Sequence, residues 1–219
     1  MKKFLLILFL ATCSLFLITG CGGQSQDKTP AEPEKKSVEK TPTASADKKI
    51  LVVYFSRTGE EYSIGKITKG NTAIVADYIA QKIGADTFEI KAATPYPDEY
   101  EACTELAKQE LESNVRPAIE KNIDNLAQYD TIFIGYPIWW GAVPRVLLTF
   151  LEANDFSGKT IIPFCTHGGS GLAGTEREIA DACPNSKVLS GLAIVGKTAQ
   201  NDFPAAQKDI DDWLKTLDY

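Results

Sequence analysis

The stretch Ile50-Leu51-Val52-Val53-Tyr54-Phe55-Ser56-Arg57-Thr58-Gly59, resumed after a polar insertion at Gly70-Asn71-Thr72, decides how the rest of the chain is read. Its opening run is rich in branched and aromatic side chains and carries no charge. Such a run suits a strand covered on both faces, as parallel-sheet strands are. Ser56, Arg57, Thr58 and Gly59 then bring hydroxyls and a flexible glycine to the carboxyl end of that strand, and Asn71 and Thr72 open a helix beside it. Open α/β sheets bind ligands at that edge. A helix N-terminus offers unpaired N–H groups and a partial positive charge, so it can hold a phosphate without a lysine.

Outward from this stretch, strand and helix signals alternate. Asn71 or Thr72 can cap a helix in which Val75, Ile79 and Ile83 recur at four-residue steps and which Gly84 ends. A short strand at 87–90 follows, then a helix from about Asp98 to Glu112 between Pro97 and Pro117. Buried strands are expected at 131–135, 159–165 and 187–196. Helices are expected from Pro144 through Leu151, from the Gly-rich turn to about Ala182, and across Phe203, Ala206, Ile210, Trp213, Leu214 and Leu217. Five strands alternating with five helices predict an α/β fold of right-handed crossovers, a three-layer doubly wound sandwich.

The turn Ser56-Arg57-Thr58-Gly59 with Asn71-Thr72 resembles the Ser/Thr-x-Thr-Gly-Asn-Thr phosphate loop of flavodoxins. It departs from the simple pattern because Glu60 to Lys69 plus Gly70 intervene. We read the insertion as a loop extruded from a turn whose two halves still meet. The resemblance spans residues 50–219 and implies a five-stranded parallel sheet of order 2-1-3-4-5 that binds FMN.

Two further loops support it. Strand three ends in Gly135-Tyr136-Pro137-Ile138-Trp139-Trp140-Gly141-Ala142-Val143-Pro144. Adjacent tryptophans point in different directions, so at least one is exposed unless a flat ligand covers it; an aromatic packing cluster at the sheet edge is the plainer reading. The resemblance implies that Pro137, Ile138, Trp139, Trp140 and Gly141 face the flavin, with Trp139 the closer match for the stacking aromatic and Trp140 the alternative. It also implies that a peptide beside Gly141 turns its carbonyl toward the ring when the ring gains a proton. Strand four runs into Thr166-His167-Gly168-Gly169-Ser170-Gly171, whose glycines let backbone N–H groups approach a ligand, matching the loop on the ring's other side. His167, the only histidine, is either a hydrogen-bonding loop residue or a proton donor to reduced flavin or a bound quinone. No Gly-x-Ser-x-Gly elbow accompanies it.

Residues 1–21 are a signal segment: Lys2 and Lys3, an apolar run from Phe4 to Ile18, then Ile18-Thr19-Gly20-Cys21. The last four resemble a bacterial lipobox, with Cys21 lipidated and becoming the mature N-terminus; an uncleaved anchor is the alternative. Acyl chains on Cys21 would hold the protein on the extracytoplasmic face of a bacterial membrane. Residues 22–49 are Gly, Ser, Thr, Pro, Lys and Glu-rich with Val38 the only large aliphatic, the composition of a disordered tether. Such a tether reaches roughly 30 Å.

Residues 50–219 carry 15 Lys+Arg against 24 Asp+Glu, a net charge near −9. Phosphate backbones need a basic face, so nucleic-acid binding is not expected. Beyond the segment ending at Cys21, Cys103, Cys165 and Cys183 remain; Cys165 with Cys183 is a conceivable disulfide, and buried thiols are the plainer reading. The leading expectation is an FMN-binding electron carrier serving a redox partner protein or a small quinone-like acceptor. An FMN-dependent quinone or nitro-compound reductase, and a flavin-free binding module on the same fold, are the alternatives, so catalytic activity is left open.

Overall fold

The computed structural model describes residues 49–218. The expected signal segment, Cys21 and the expected tether up to Lys48 lie outside the described residues. Within them, β1 (Ile50–Phe55), β4 (Asp86–Ile90), β5 (Thr131–Pro137) and β6 (Thr160–His167) pair in parallel in the order β4-β1-β5-β6, and β7 (Lys187–Val188) and β8 (Leu192–Val195) both pair with β6 at the edge. This is the 2-1-3-4-5 order of the doubly wound sheet, with its fifth position divided.

Alternation along each central strand builds two cores. Leu51, Val53, Phe55, Ile132, Ile134 and Tyr136 face one side, where α3 (Arg145–Glu152) contributes Val146, Leu147, Phe150 and Leu151 and α4 (Thr175–Ala182) contributes Ile179. Val52, Phe133, Ile162 and Phe164 face the other. There α1 (Asn71–Ile83) supplies Val75, Ala76 and Ile79, and α6 (Phe203–Leu214) supplies Ala206 and Ile210. Helices cover both faces, which accounts for the uncharged strands: neither side of the pleat meets water.

The structure differs from the sequence reading at three places. The last strand is broken at 189–191. Leu189 N–H donates to Ile161 O at 2.9 Å, so Pro163, two residues on, faces the same neighbour and has no N–H to give it. Gly191 N–H turns instead to Glu176 Oε1 at 2.6 Å. Second, a short α5 (Gly196–Asn201) precedes α6. Third, neither Asn71 nor Thr72 caps α1. Gly70 holds the N-cap position without a side-chain bond, and Ser56 Oγ, from the end of β1, accepts the Ala73 N–H at 3.0 Å.

The insertion that follows β1 is an antiparallel hairpin, β2 (Gly59–Glu61) with β3 (Gly65–Ile67). Its two feet close tightly. A Cβ at Gly70 would fall far inside contact with Ser56 Oγ and Arg57 O, so glycine alone lets the halves of the turn meet.

Candidate functional site

The carboxyl ends of β1, β5, β6 and β8 and the first turns of α2 (Tyr100–Glu112) surround one cleft of about 320 Å³, within the range of small-molecule sites. Hydrogen bonds join its loops. Thr72 Oγ1 and Thr166 Oγ1 lie 2.8 Å apart, linking the start of α1 to the end of β6. Ile138 N–H donates to Thr166 O at 2.8 Å, linking β5 to the same strand. Gly196, after β8, leaves room for the Asn71 amide, which any Cβ there would press.

At one end lies the N-terminus of α1 with Asn71, which lines the cleft. Its Oδ1 is buried and makes no hydrogen bond. A buried acceptor left unpaired costs about 1–3 kcal/mol, so the site asks for a donor such as a ligand hydroxyl. Lys197 lines the same cleft near the end of β8.

At the other end is the tryptophan turn. Trp139 and Ala142 exchange backbone hydrogen bonds of 3.1 and 3.0 Å, and Trp140 and Gly141 between them have φ +53° and +76°. Both values are those of a type I′ turn, where glycine suits the second position and a bulky residue at the first is strained. The two indoles part accordingly. Trp139 packs edge-on against Phe55 (5.4 Å between centroids) and Tyr96 (4.8 Å), so it supports the wall. Trp140 is 57% exposed, with Nε1 donating to Thr104 O at 2.8 Å. The foot of the turn is fixed by Glu178, which accepts Val143 N–H at 2.9 Å and pairs with the buried Arg145 guanidinium.

His167 closes the β6 loop. Its Nδ1 accepts N–H groups of Gly169 at 2.9 Å and Gly171 at 3.2 Å. An accepting Nδ1 places the proton on Nε2, and burial holds the ring's pKa below its ordinary value. The ring is therefore neutral at neutral pH.

Of the residues expected from sequence, Arg57, Asn71, Pro137, Ile138, Trp139, Trp140, Thr166, His167 and Gly168 line the cleft. Ser56 and Thr72 stand behind it through the bonds just described. Thr58, Gly59, Gly141 and Gly169 are not among its lining residues. Arg57 lines it with a guanidinium already engaged: Nε and Nη2 donate to Pro97 O, Nη2 to Asp98 O, and Nη1 to Glu60 O and the Glu61 carboxylate. It ties the hairpin to the loop before α2.

Sequence reading missed Tyr62 on the hairpin and Tyr100, Cys103 and Thr104 on α2. The i, i+3, i+4 spacing of the last three marks one helix face, the signal that could have found them. Cys103, Cys165 and Cys183 are buried free thiols, and burial pushes their pKa values up to about 11, 12 and 12.

A parallel doubly wound sheet with a cleft across the carboxyl ends of its central strands defines the class: an α/β protein whose cleft, of small-molecule size, lies beside a helix N-terminus. The flavodoxin family model matches residues 49–216. The chain belongs to the flavodoxin family. A structure from Bacteroides uniformis described as a candidate flavoprotein is 34% identical, covers 72% of this chain and 98% of its own, and has a TM-score of 0.58. A similarly described protein from Bacteroides eggerthii is 31% identical over 72% of this chain and 96% of its own, at TM-score 0.57. A Lactobacillus acidophilus flavoprotein in complex with FMN shares the fold at 22% identity and TM-score 0.53, over 72% of this chain and 99% of its own. No curated protein matches the chain.

Proposed function

We propose that this chain binds FMN and carries electrons at the outer face of a bacterial membrane, held there through a lipidated Cys21. The observation that carries the reading is the cleft itself: a helix N-terminus and an unpaired buried Asn71 Oδ1 at one end, aromatic side chains at the other. Family membership and the fold shared with an FMN-bound flavoprotein support it. The residues present fit this ligand. The free N–H groups of α1 would take the phosphate, Asn71 Oδ1 would accept from a ribityl hydroxyl, and the tryptophan turn would flank the ring.

FMN, once bound, would supply the electron chemistry. The chain positions it, excludes water and sets its electrostatics. A domain charge near −9 disfavours an anionic reduced ring and lowers its potential relative to free FMN. His167, neutral and hydrogen-bonded through Nδ1, keeps an Nε2 proton beside the ring site.

FMN titrated into the purified full chain should lose its fluorescence. Chemically reduced protein should then pass electrons to a soluble acceptor while showing no sustained turnover with NADH or NADPH. Unquenched FMN would remove the reading; brisk ping-pong turnover with a quinone would replace the carrier by a reductase. Cys21→Ser should move the protein from the membrane fraction to the soluble one, and an unchanged distribution would remove the lipid anchor.

A further inference from the structure

The hairpin inserted into the phosphate turn carries an aromatic side chain over the cleft mouth. Tyr62, at its tip, is 59% exposed, and Trp140 is 57% exposed. Both line the cleft, and both are anchored on α2, one helical turn apart. The Tyr62 ring lies 6.1 Å from that of Tyr100, whereas Trp140 Nε1 is bonded to Thr104 O. Four residues of helix rise about 6 Å. A planar ring stacked on both faces needs two contact distances of about 3.5 Å each, a span close to that of one helical turn.

Both side chains have further neighbours. Lys108, a further turn along α2, sits over the Trp140 ring, 5.7 Å from its centroid. The Tyr62 edge reaches the β6 loop, where a Cβ at Gly168 would lie 3.2 Å from Tyr62 Cδ1. That loop, His167-Gly168-Gly169-Ser170-Gly171, brings no large apolar ring of its own. Trp140 also holds a strained φ of +53°. A bulky residue keeps such a conformation only where its surroundings impose it, as ligand clamps do.

We propose that Tyr62 is the second wall of the flavin-ring slot, facing Trp140 across it; this rests on the FMN reading above. With an aromatic side chain on each face, no second planar molecule can stack on the ring. That arrangement suits electron exchange with a protein partner through the ring's edge, and it opposes hydride transfer from a stacked nicotinamide.

The test is FMN titration into the full chain and its Tyr62→Phe and Tyr62→Leu variants, reading flavin emission and the FMN dissociation rate. Tyr62 is exposed, so both variants should keep the wild-type melting temperature. Tyr62→Phe should match wild type within about twofold, while Tyr62→Leu should bind about three- to tenfold more weakly, with part of the flavin emission restored. Wild-type affinity and full quenching in Tyr62→Leu would overturn the assignment and leave the FMN reading standing. Failure of the wild type itself to quench FMN would overturn both.

Discussion

Arg57→Ala should loosen the hairpin rather than strip a phosphate ligand from the site. All five guanidinium hydrogens are engaged, on Glu60 O, Pro97 O twice, Asp98 O and Glu61 Oε1, at 2.7–3.1 Å, and the side chain is 6% exposed. Each such bond contributes roughly 0.5–1.5 kcal/mol net. Water can reach the Glu60 and Asp98 carbonyls once the side chain is gone, so the deficit concentrates on Pro97 O and the Glu61 carboxylate. We expect a loss of about 2–3 kcal/mol, with faster hydrogen exchange in β2 and β3.

The deficit depends on pH. Burial raises the Glu61 pKa above 4.5 and Arg57 opposes that rise. Removing Arg57 lifts the folded-state pKa further. A carboxyl whose folded pKa exceeds its unfolded value favours the fold below the unfolded pKa and loses that contribution as pH rises through the folded one. Urea unfolding should therefore show a larger deficit at about pH 7 than at about pH 4. Arg57→Lys restores a charge but not the five-donor fork, and should recover only part of the loss. Affinities for FMN and for riboflavin, which lacks the phosphate, should fall by the same factor. A fall of more than about tenfold for FMN alone, a difference of about 1.4 kcal/mol, would make Arg57 a phosphate ligand and refute the reasoning.

Gly70→Ala places a methyl against Ser56 Oγ and Arg57 O at an ordinary φ of −67°, so its effect is purely steric. It should cost about 1–3 kcal/mol and weaken FMN binding in a calorimetric titration; unchanged binding would mean that the turn opens without consequence. Glu178→Ala leaves the Arg145 guanidinium, 7% exposed, without its carboxylate and Val143 N–H without its acceptor. We expect about 3 kcal/mol in urea unfolding, the low end for a broken buried pair because Glu178 keeps some solvent contact; a loss under about 1 kcal/mol would contradict the pairing. Cys103, Cys165 and Cys183, with pKa values pushed up by burial to about 11, 12 and 12, should resist alkylation near pH 8 until the domain unfolds, as mass mapping would show. Rapid labelling of any of the three in the folded protein would contradict that burial.

The layered sheet was legible because its information is local. Ile50 to Phe55 and Thr131 to Gly135 read as covered strands from their own composition, and Gly84 ends α1 in the left-handed conformation its type suggests. The edge that carries the cleft followed from the same rule, since turns after consecutive parallel strands must gather at one side of the sheet. Other features depended on residues far apart in the chain. Pro163 breaks the neighbouring strand because it faces Leu189 to Gly191 without an N–H. The polar insertion after Gly59 shows no two-residue alternation, and it becomes a hairpin because Arg57 finds carbonyls some forty positions away.

The sequence by itself determined the family's sheet and the loops that meet at the cleft, since burial on both faces and turn chemistry are properties of short segments. Only the tertiary structure decided which side chains reach the cleft. It turned Trp139 inward against Phe55 and Tyr96 and left Trp140 outside, and it brought Tyr62 to the same mouth. A side chain's direction is fixed by the backbone angle at its own residue and by partners contributed from elsewhere in the fold, and a linear reading contains neither.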